Sequence, residues 1–195
     1  RQRQMCIRDR WKPSHKDQPS WDSPWGGGRP GWHIECSAMI EQHLGETIDI
    51  HGGGQDLVFP HHENERAQST CVHDGKLFSR YWMHNGFVNV EHEKMSKSIG
   101  NVLLVHDLLK HVSGEVIRTT LLGTHYRSPL DWTDEALSLS RRNLDRLYGA
   151  LQVLRDIDVK VSTKDVPTAF INALKDDLNT PAAFTVLHKL AIQAN

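Results

Sequence analysis

Thr47-Ile48-Asp49-Ile50-His51-Gly52-Gly53-Gly54 is the stretch on which the fold turns. Its first five residues alternate polar and apolar as a short strand does, and the glycines that follow form a break where backbone can approach a ligand. Phe59-Pro60 comes next, then a helix predicted from about His61 to Cys71. Upstream, a helix is predicted from Gly31, with Ile34, Ala38 and Leu44 on one side and Gly45 as its stop. Downstream, Gly86-Phe87-Val88-Asn89-Val90 reads as a second strand, followed by a polar loop from Glu91 to Gly100. Helix, strand, glycine-rich loop, helix, strand is the order of an α/β unit. In open parallel sheets ligands sit at the carboxyl ends of strands, where the glycines and the polar loop both fall.

Outside that unit the pattern changes. Trp11 to Pro30, rich in Pro, Gly, Ser, Asp and Trp, reads as an irregular loop pinned by its tryptophans. Arg1 to Arg10 shows neither helical nor alternating periodicity, looks like read-through of adapter DNA, and is expected to be a non-native leader. Beyond Asn101 the periodicity is helical. Ser113 can cap a helix carrying Val116, Ile117, Thr120 and Leu121 and closed by Gly123, and Leu137, Leu144, Leu147, Leu151 and Leu154 mark a longer one. Thr180-Pro181 reads as N-cap and first-turn proline of a last helix, inside which the chain stops, so truncation at both ends is expected.

Composition narrows the class. No stretch approaches the roughly 18 apolar residues of a membrane span, and no apolar secretory core opens the chain, so a cytoplasmic protein without membrane contact is expected. Three cysteines, Cys6, Cys36 and Cys71, argue for reduced thiols rather than a disulfide framework. With 23 basic and 24 acidic residues the bulk charge demands no nucleic acid, so any RNA contact is local.

Two clusters carry chemistry. His61 and Glu65 are four apart on a helix and project from one face, so imidazole and carboxylate can converge on one metal ion. Cys36, near the start of its own helix, is expected to gain thiolate character there and to suit a third, soft position. Spacing alone does not join Cys36 to the pair. Lys94-Met95-Ser96-Lys97-Ser98 offers two ammonium groups and two hydroxyls on a loop after a strand, which can fold over polyphosphate or be a solvated charged turn.

Lys94 to Ser98 is the full KMSKS signature of class I aminoacyl-tRNA synthetases. Gly28-Arg29-Pro30-Gly31-Trp32-His33-Ile34-Glu35-Cys36-Ser37, His51-Gly52-Gly53-Gly54-Gln55-Asp56-Leu57 and Phe59-Pro60-His61-His62-Glu63-Asn64-Glu65 resemble the cysteinyl-tRNA synthetases in particular, from about Trp11 to the end. The resemblance implies one zinc ion on Cys36, His61 and Glu65 that binds the thiolate of substrate L-cysteine. It places Trp32 beside that cysteine, Asp56 near its ammonium, and Gly52, Gly53 and Gly54 near ATP, which comes with Mg2+. Lys94 and Lys97 become the catalytic lysines, Lys97 also binding ATP, and tRNA(Cys) becomes the acceptor, with a monomer as the expected state.

The family's fourth zinc ligand, an upstream cysteine, and its HIGH signature are absent from this chain, so the chain alone is expected to be inactive. The implied fold is the C-terminal half of a class I Rossmann-like catalytic domain over residues 11–90. A KMSKS loop and stem-contact region follow over 91–133, then the start of a helical anticodon-side domain over 134–195. Two other readings stay open: a mycothiol-pathway cysteine ligase, which transfers cysteine to an amino sugar, and a non-catalytic RNA- or zinc-binding module. Asn64-Glu65 and Asp176 to Ala183 look like the synthetase.

Overall fold

The structure is a computed structural model that describes residues 11–96, 98–155, 157 and 165–194. The expected leader, residues 1–10, and Lys97 lie outside the described residues. The chain forms two compact units, Arg1–His84 and Asn85–Asn195.

In the first unit, β1 (Trp11–Pro13) pairs antiparallel with β2 (Gly28–Pro30), so the expected irregular loop is paired at its two ends. Trp11 does the pinning: its Nε1 donates to Gly26 O at 3.3 Å, and its ring lies where a side chain on Gly28 would stand. Trp21 and Trp25 are 55% and 71% exposed, and Trp21 ties the loop through its main chain, which bridges Gly28.

Helix α1 (Trp32–Leu44) begins after Gly31 and is closed by Gly45 at φ 95°, as predicted. The face it buries is not the predicted one. Ile34, Ala38 and Leu44 are exposed, and His33 and Ser37 are buried. The reason is a polar seam with the next helix, where Ser37 Oγ donates to Gln68 Oε1 at 3.2 Å and His33 meets His61. Buried polar groups need such partners.

Strand β3 (Ile48–Gly54) runs through all three glycines, which therefore extend the strand rather than break it. Its partner β4 (Ser79–Asn85) is an element the sequence reading lacked, because Ser-Arg-Tyr-Trp-Met-His-Asn has no β-branched residue and no clean alternation. After β3 come a single turn, Gln55–Leu57, and an irregular turn, Val58–His62, broken at Phe59. Helix α2 (Glu63–Val72) follows, close to the predicted bounds.

In the second unit, β5 (Val88–Val90) pairs antiparallel with β6 (Glu93–Lys94) and parallel with β7 (Leu130–Trp132). Glu91 and His92 turn the hairpin at φ 49° and 67°, the left-handed pair that matches strand twist. Asp131 on β7 holds that turn, accepting from His92 N at 2.9 Å and ion-pairing with the His92 ring.

The crossover between β5 and β7 carries α3 (Val105–Leu108) and α4 (Gly114–Leu122). Ser113 caps α4 as predicted, accepting from Val116 N. Ile117, Leu130 and Trp132 form the core of the unit, packed by Val88, Leu103 and Leu137, whereas Leu121 is exposed. Helix α5 (Asp134–Val153) half-buries Leu137, Leu144 and Leu147, leaves Leu151 exposed, and ends before Leu154, also exposed.

Helices α6 (Thr168–Lys175) and α7 (Thr180–Ala194) close the unit. The cap of α7 is Asn179, which accepts from Ala182 N at 3.1 Å, one residue before the predicted Thr180. Thr180 Oγ1 donates instead to Leu122 O, tying α7 to the end of α4.

Gly86 lies hard against the main chain of Ser128 and Pro129. A Cβ there would lie 2.4 Å from Ser128 O and 2.9 Å from Pro129 N, both main-chain atoms that no rotamer change can move. Gly86→Ala is expected to lower stability by about 1–3 kcal/mol, as at other overpacked sites, read as a lower urea midpoint at unchanged slope. An unchanged midpoint would show that this backbone gives way freely.

Candidate metal and substrate site

Three segments of the first unit build the site. Cys36 projects from α1, His61 from the irregular turn, and Glu65 from the first turn of α2. One ligand atom from each lies within 4.8 Å of the others, so tertiary structure joins the cysteine to the i, i+4 pair. Trp32 stacks on His61 with ring centroids 4.0 Å apart while staying 54% exposed, a face open to a small ligand.

Behind these residues stands a histidine cluster that sequence reasoning missed. His61 Nδ1 meets His33 Nδ1 at 2.6 Å, His62 Nδ1 meets His84 Nε2 at 2.8 Å, and His51 Nε2 approaches Glu65 Oε2 at 2.8 Å. The signal available was the number of histidines, 13 in 195 residues, but His33, His51 and His84 are scattered along the sequence. His51 and His62 form with Glu65 a second group of closely spaced donors, so Glu65 is shared. Gly53 gives the cluster room: a Cβ there would stand 3.0 Å from the His62 ring and 2.9 Å from Leu57.

Burial sets the electrostatics of this group. Glu65 is 1% exposed, and burial pushes its carboxyl up to about 7 against a smaller lowering by the Cys36 thiol. The Cys36 thiol is pushed up to about 11, first by burial and next by the Glu65 carboxylate, so the helix start does not make it a thiolate. Desolvation and a neighbouring anion thus oppose the thiolate character expected from its place in the helix. Burial also lowers His51 and His61, and holds His62 at about 4 with help from His51 and His84. Neutral imidazoles are the ligand-competent form.

A divalent cation fits this donor set. The His51–Glu65 approach is off the hydrogen-bond direction, leaving Glu65 Oε2 and His51 Nε2 buried without a directed partner. Soft sulfur, imidazole and carboxylate together suit zinc.

The other predicted residues lie elsewhere. Asp56 is exposed on the turn Gln55–Leu57 and stands outside the cysteine–histidine–glutamate group. Gly52 and Gly54 belong to β3. Lys94, in the second unit, ends β6 with its Nζ 3.7 Å above the Phe87 ring. Among the described residues no helix is long and apolar enough to cross a membrane.

Comparison with known proteins gives these features a context. The family described as tRNA synthetases class I (C) catalytic domain matches residues 4–142, and the DALR domain matches residues 169–195. Cysteine–tRNA ligase of Parvibaculum lavamentivorans is 64% identical over 185 residues, 95% of this chain and 40% of the relative. The ligase of Maricaulis maris is 62% identical over the same shares, and that of Xanthomonas campestris 54% over 94% and 40%. The chain thus spans about 40% of the length of these relatives.

Among solved structures, LeuRS of Agrobacterium radiobacter, in a ternary complex with tRNA and LeuAMS, superposes with a TM-score of 0.62 at 17% identity, covering 89% of this chain and 29% of that one. Mycobacterium tuberculosis methionyl-tRNA synthetase, in complex with methionyl-adenylate, does so at 0.51 and 19%, covering 75% and 32%. At such identity they speak for the fold alone. The family match spans more than half of the residues and takes in both the Cys36–His61–Glu65 group and the Lys94–Ser98 loop: the chain belongs to the class I (C) tRNA synthetases and carries part of their catalytic domain.

Proposed function

We propose that this chain is the cysteine-recognising and KMSKS-bearing part of a cysteine–tRNA ligase, which activates L-cysteine with Mg-ATP and transfers it to tRNA(Cys). The observation that carries the reading is the convergence of Cys36, His61 and Glu65 beneath the exposed Trp32 ring. These three residues would hold zinc, which when bound supplies a soft Lewis acid that favours a thiolate over a hydroxyl.

The chain's own residues do the rest. His33 Nδ1 fixes which nitrogen of His61 carries the proton, the usual role of a group behind a metal ligand, and His51 stands beside Glu65. Trp32 covers the site, and the amino acid is held for attack of its carboxylate on the α-phosphorus of ATP, with pyrophosphate leaving. Asp56 takes the ammonium of the substrate. Lys94 and Lys97 meet the charge that develops on the phosphates, Lys94 leaving the Phe87 face at a cost of about 0.5–1 kcal/mol.

The test uses a full-length enzyme made by exchanging the aligned 185 residues of the Parvibaculum ligase for this chain. One zinc per chain and ATP–pyrophosphate exchange dependent on cysteine but not on serine are the expected result. Exchange unaffected by zinc removal, or none at all, overturns the reading.

A further inference from the structure

We propose that Asn101 is a positioning residue for the Lys94–Ser98 loop, its carboxamide acting as the missing neighbour of a strand that ends there. The inference rests on the reading of that loop as a phosphate-handling element.

Strand β6 is an edge of its three-stranded sheet and ends at Lys94, so among the described residues no strand pairs with its outer side. Asn101 supplies a partner there. Its Nδ2 donates to Lys94 O at 3.3 Å and its Oδ1 accepts from Ser96 N at 2.8 Å. The carboxamide orientation follows from the partners, since a carbonyl can only accept and an amide N–H only donate. A planar carboxamide offers one donor edge and one acceptor edge side by side, the pattern a peptide group on an adjacent strand would present.

Further hydrogen bonds hold the described residues around it. Met95 N donates to Val88 O on the inner side at 3.0 Å, and Gly100 N donates to Ser96 O at 3.2 Å. Gly100 turns the chain back at φ 78°, a left-handed position that brings Asn101 alongside Lys94. Ser96 Oγ accepts from Ile99 N at 3.3 Å and meets Ser98 Oγ at 3.1 Å.

Asn101 thus ties Lys94 to Ser96 with two of the hydrogen bonds that order these residues. Such a segment is ordered by its hydrogen bonds, and it loosens when two of them go together. Positioning matters because an ammonium displaced by about 1 Å from a developing charge can lose on the order of 10²-fold in rate. Asn101 therefore acts on the reaction through the loop, without touching substrate.

The experiment compares wild type, Asn101→Ala and Asn101→Asp in the full-length enzyme described above. Peptide hydrogen exchange over residues 94–101 reads the loop. Single-turnover adenylation reads the chemistry, and zinc content with the cysteine KM reads the other site. Asn101→Ala is expected to raise loop exchange on the order of tenfold and to lower the adenylation rate tenfold or more, with zinc and cysteine KM unchanged. Asn101→Asp keeps the acceptor for Ser96 N and loses the donor to Lys94 O, so its loop exchange falls between the two.

Unchanged exchange, or raised exchange with an unchanged adenylation rate, overturns the proposal. So does loss of zinc in Asn101→Ala, since the carboxamide would then be supporting the whole fold. A wild-type enzyme without cysteine-dependent adenylation defeats the ligase reading instead, and the exchange arm still decides whether Asn101 closes the loop.

Discussion

Glu65→Gln in the full-length enzyme is expected to weaken zinc binding by at least 10²-fold and to collapse the preference for cysteine over serine. Even groups behind a metal ligand are worth about 10–100-fold in affinity, and Glu65 stands in the ligand set itself. Without the metal, the pocket must separate a thiol from a hydroxyl by ordinary contacts. That limits discrimination to about 10–200-fold, against about 10⁴–10⁵ for a site built around one essential polar contact.

Gln is the informative replacement because it keeps the volume of a residue that is 1% exposed and removes only its charge. An uncompensated buried carboxylate is costly, so the metal-free Glu65→Gln protein is expected to melt no lower than the metal-free wild type. A variant that melts normally yet holds no zinc separates a metal role from a structural one. Metal analysis and adenylation kinetics with cysteine and serine decide, and full zinc with wild-type selectivity would remove Glu65 from the ligand set.

Lys97→Ala is expected to slow single-turnover adenylation by about 2–4 kcal/mol, a factor of roughly 30–1,000, by analogy with loss of one oxyanion donor. The reasoning is chemical. A compact ammonium on a loop gains most as negative charge builds on the departing pyrophosphate, so the loss falls on the rate constant more than on ATP binding. Lys94→Ala is expected to cost less, since Lys94 stacked on Phe87 loses a cation–π contact in reaching the phosphates. Single-turnover measurements at saturating ATP check both, and a Lys97→Ala rate equal to wild type refutes the role assigned to this lysine.

Much of this molecule is legible along the chain because its signals are local. Ser113 caps its helix, Gly45 closes another, and His61 and Glu65 share a face, since helix geometry fixes what happens within four residues. The KMSKS residues are likewise contiguous.

Other features were decided only by contacts between distant residues. Periodicity says that α1 has an apolar side but not which side is buried, and the His33–His61 and Ser37–Gln68 pairings bury the polar one. Propensity gives no warning of β4, whose strand state depends on its pairing with β3. Spacing likewise could not join Cys36 to His61 and Glu65, nor bring His33, His51, His62 and His84 around them. By itself the sequence determined the course of α1, α2, α4 and α5, the stop of α1 at Gly45, the cap of α4 at Ser113 and the identity of the chemical groups. Tertiary structure alone decided which groups meet in a buried place, because convergence and desolvation depend on residues tens of positions apart that only packing brings together.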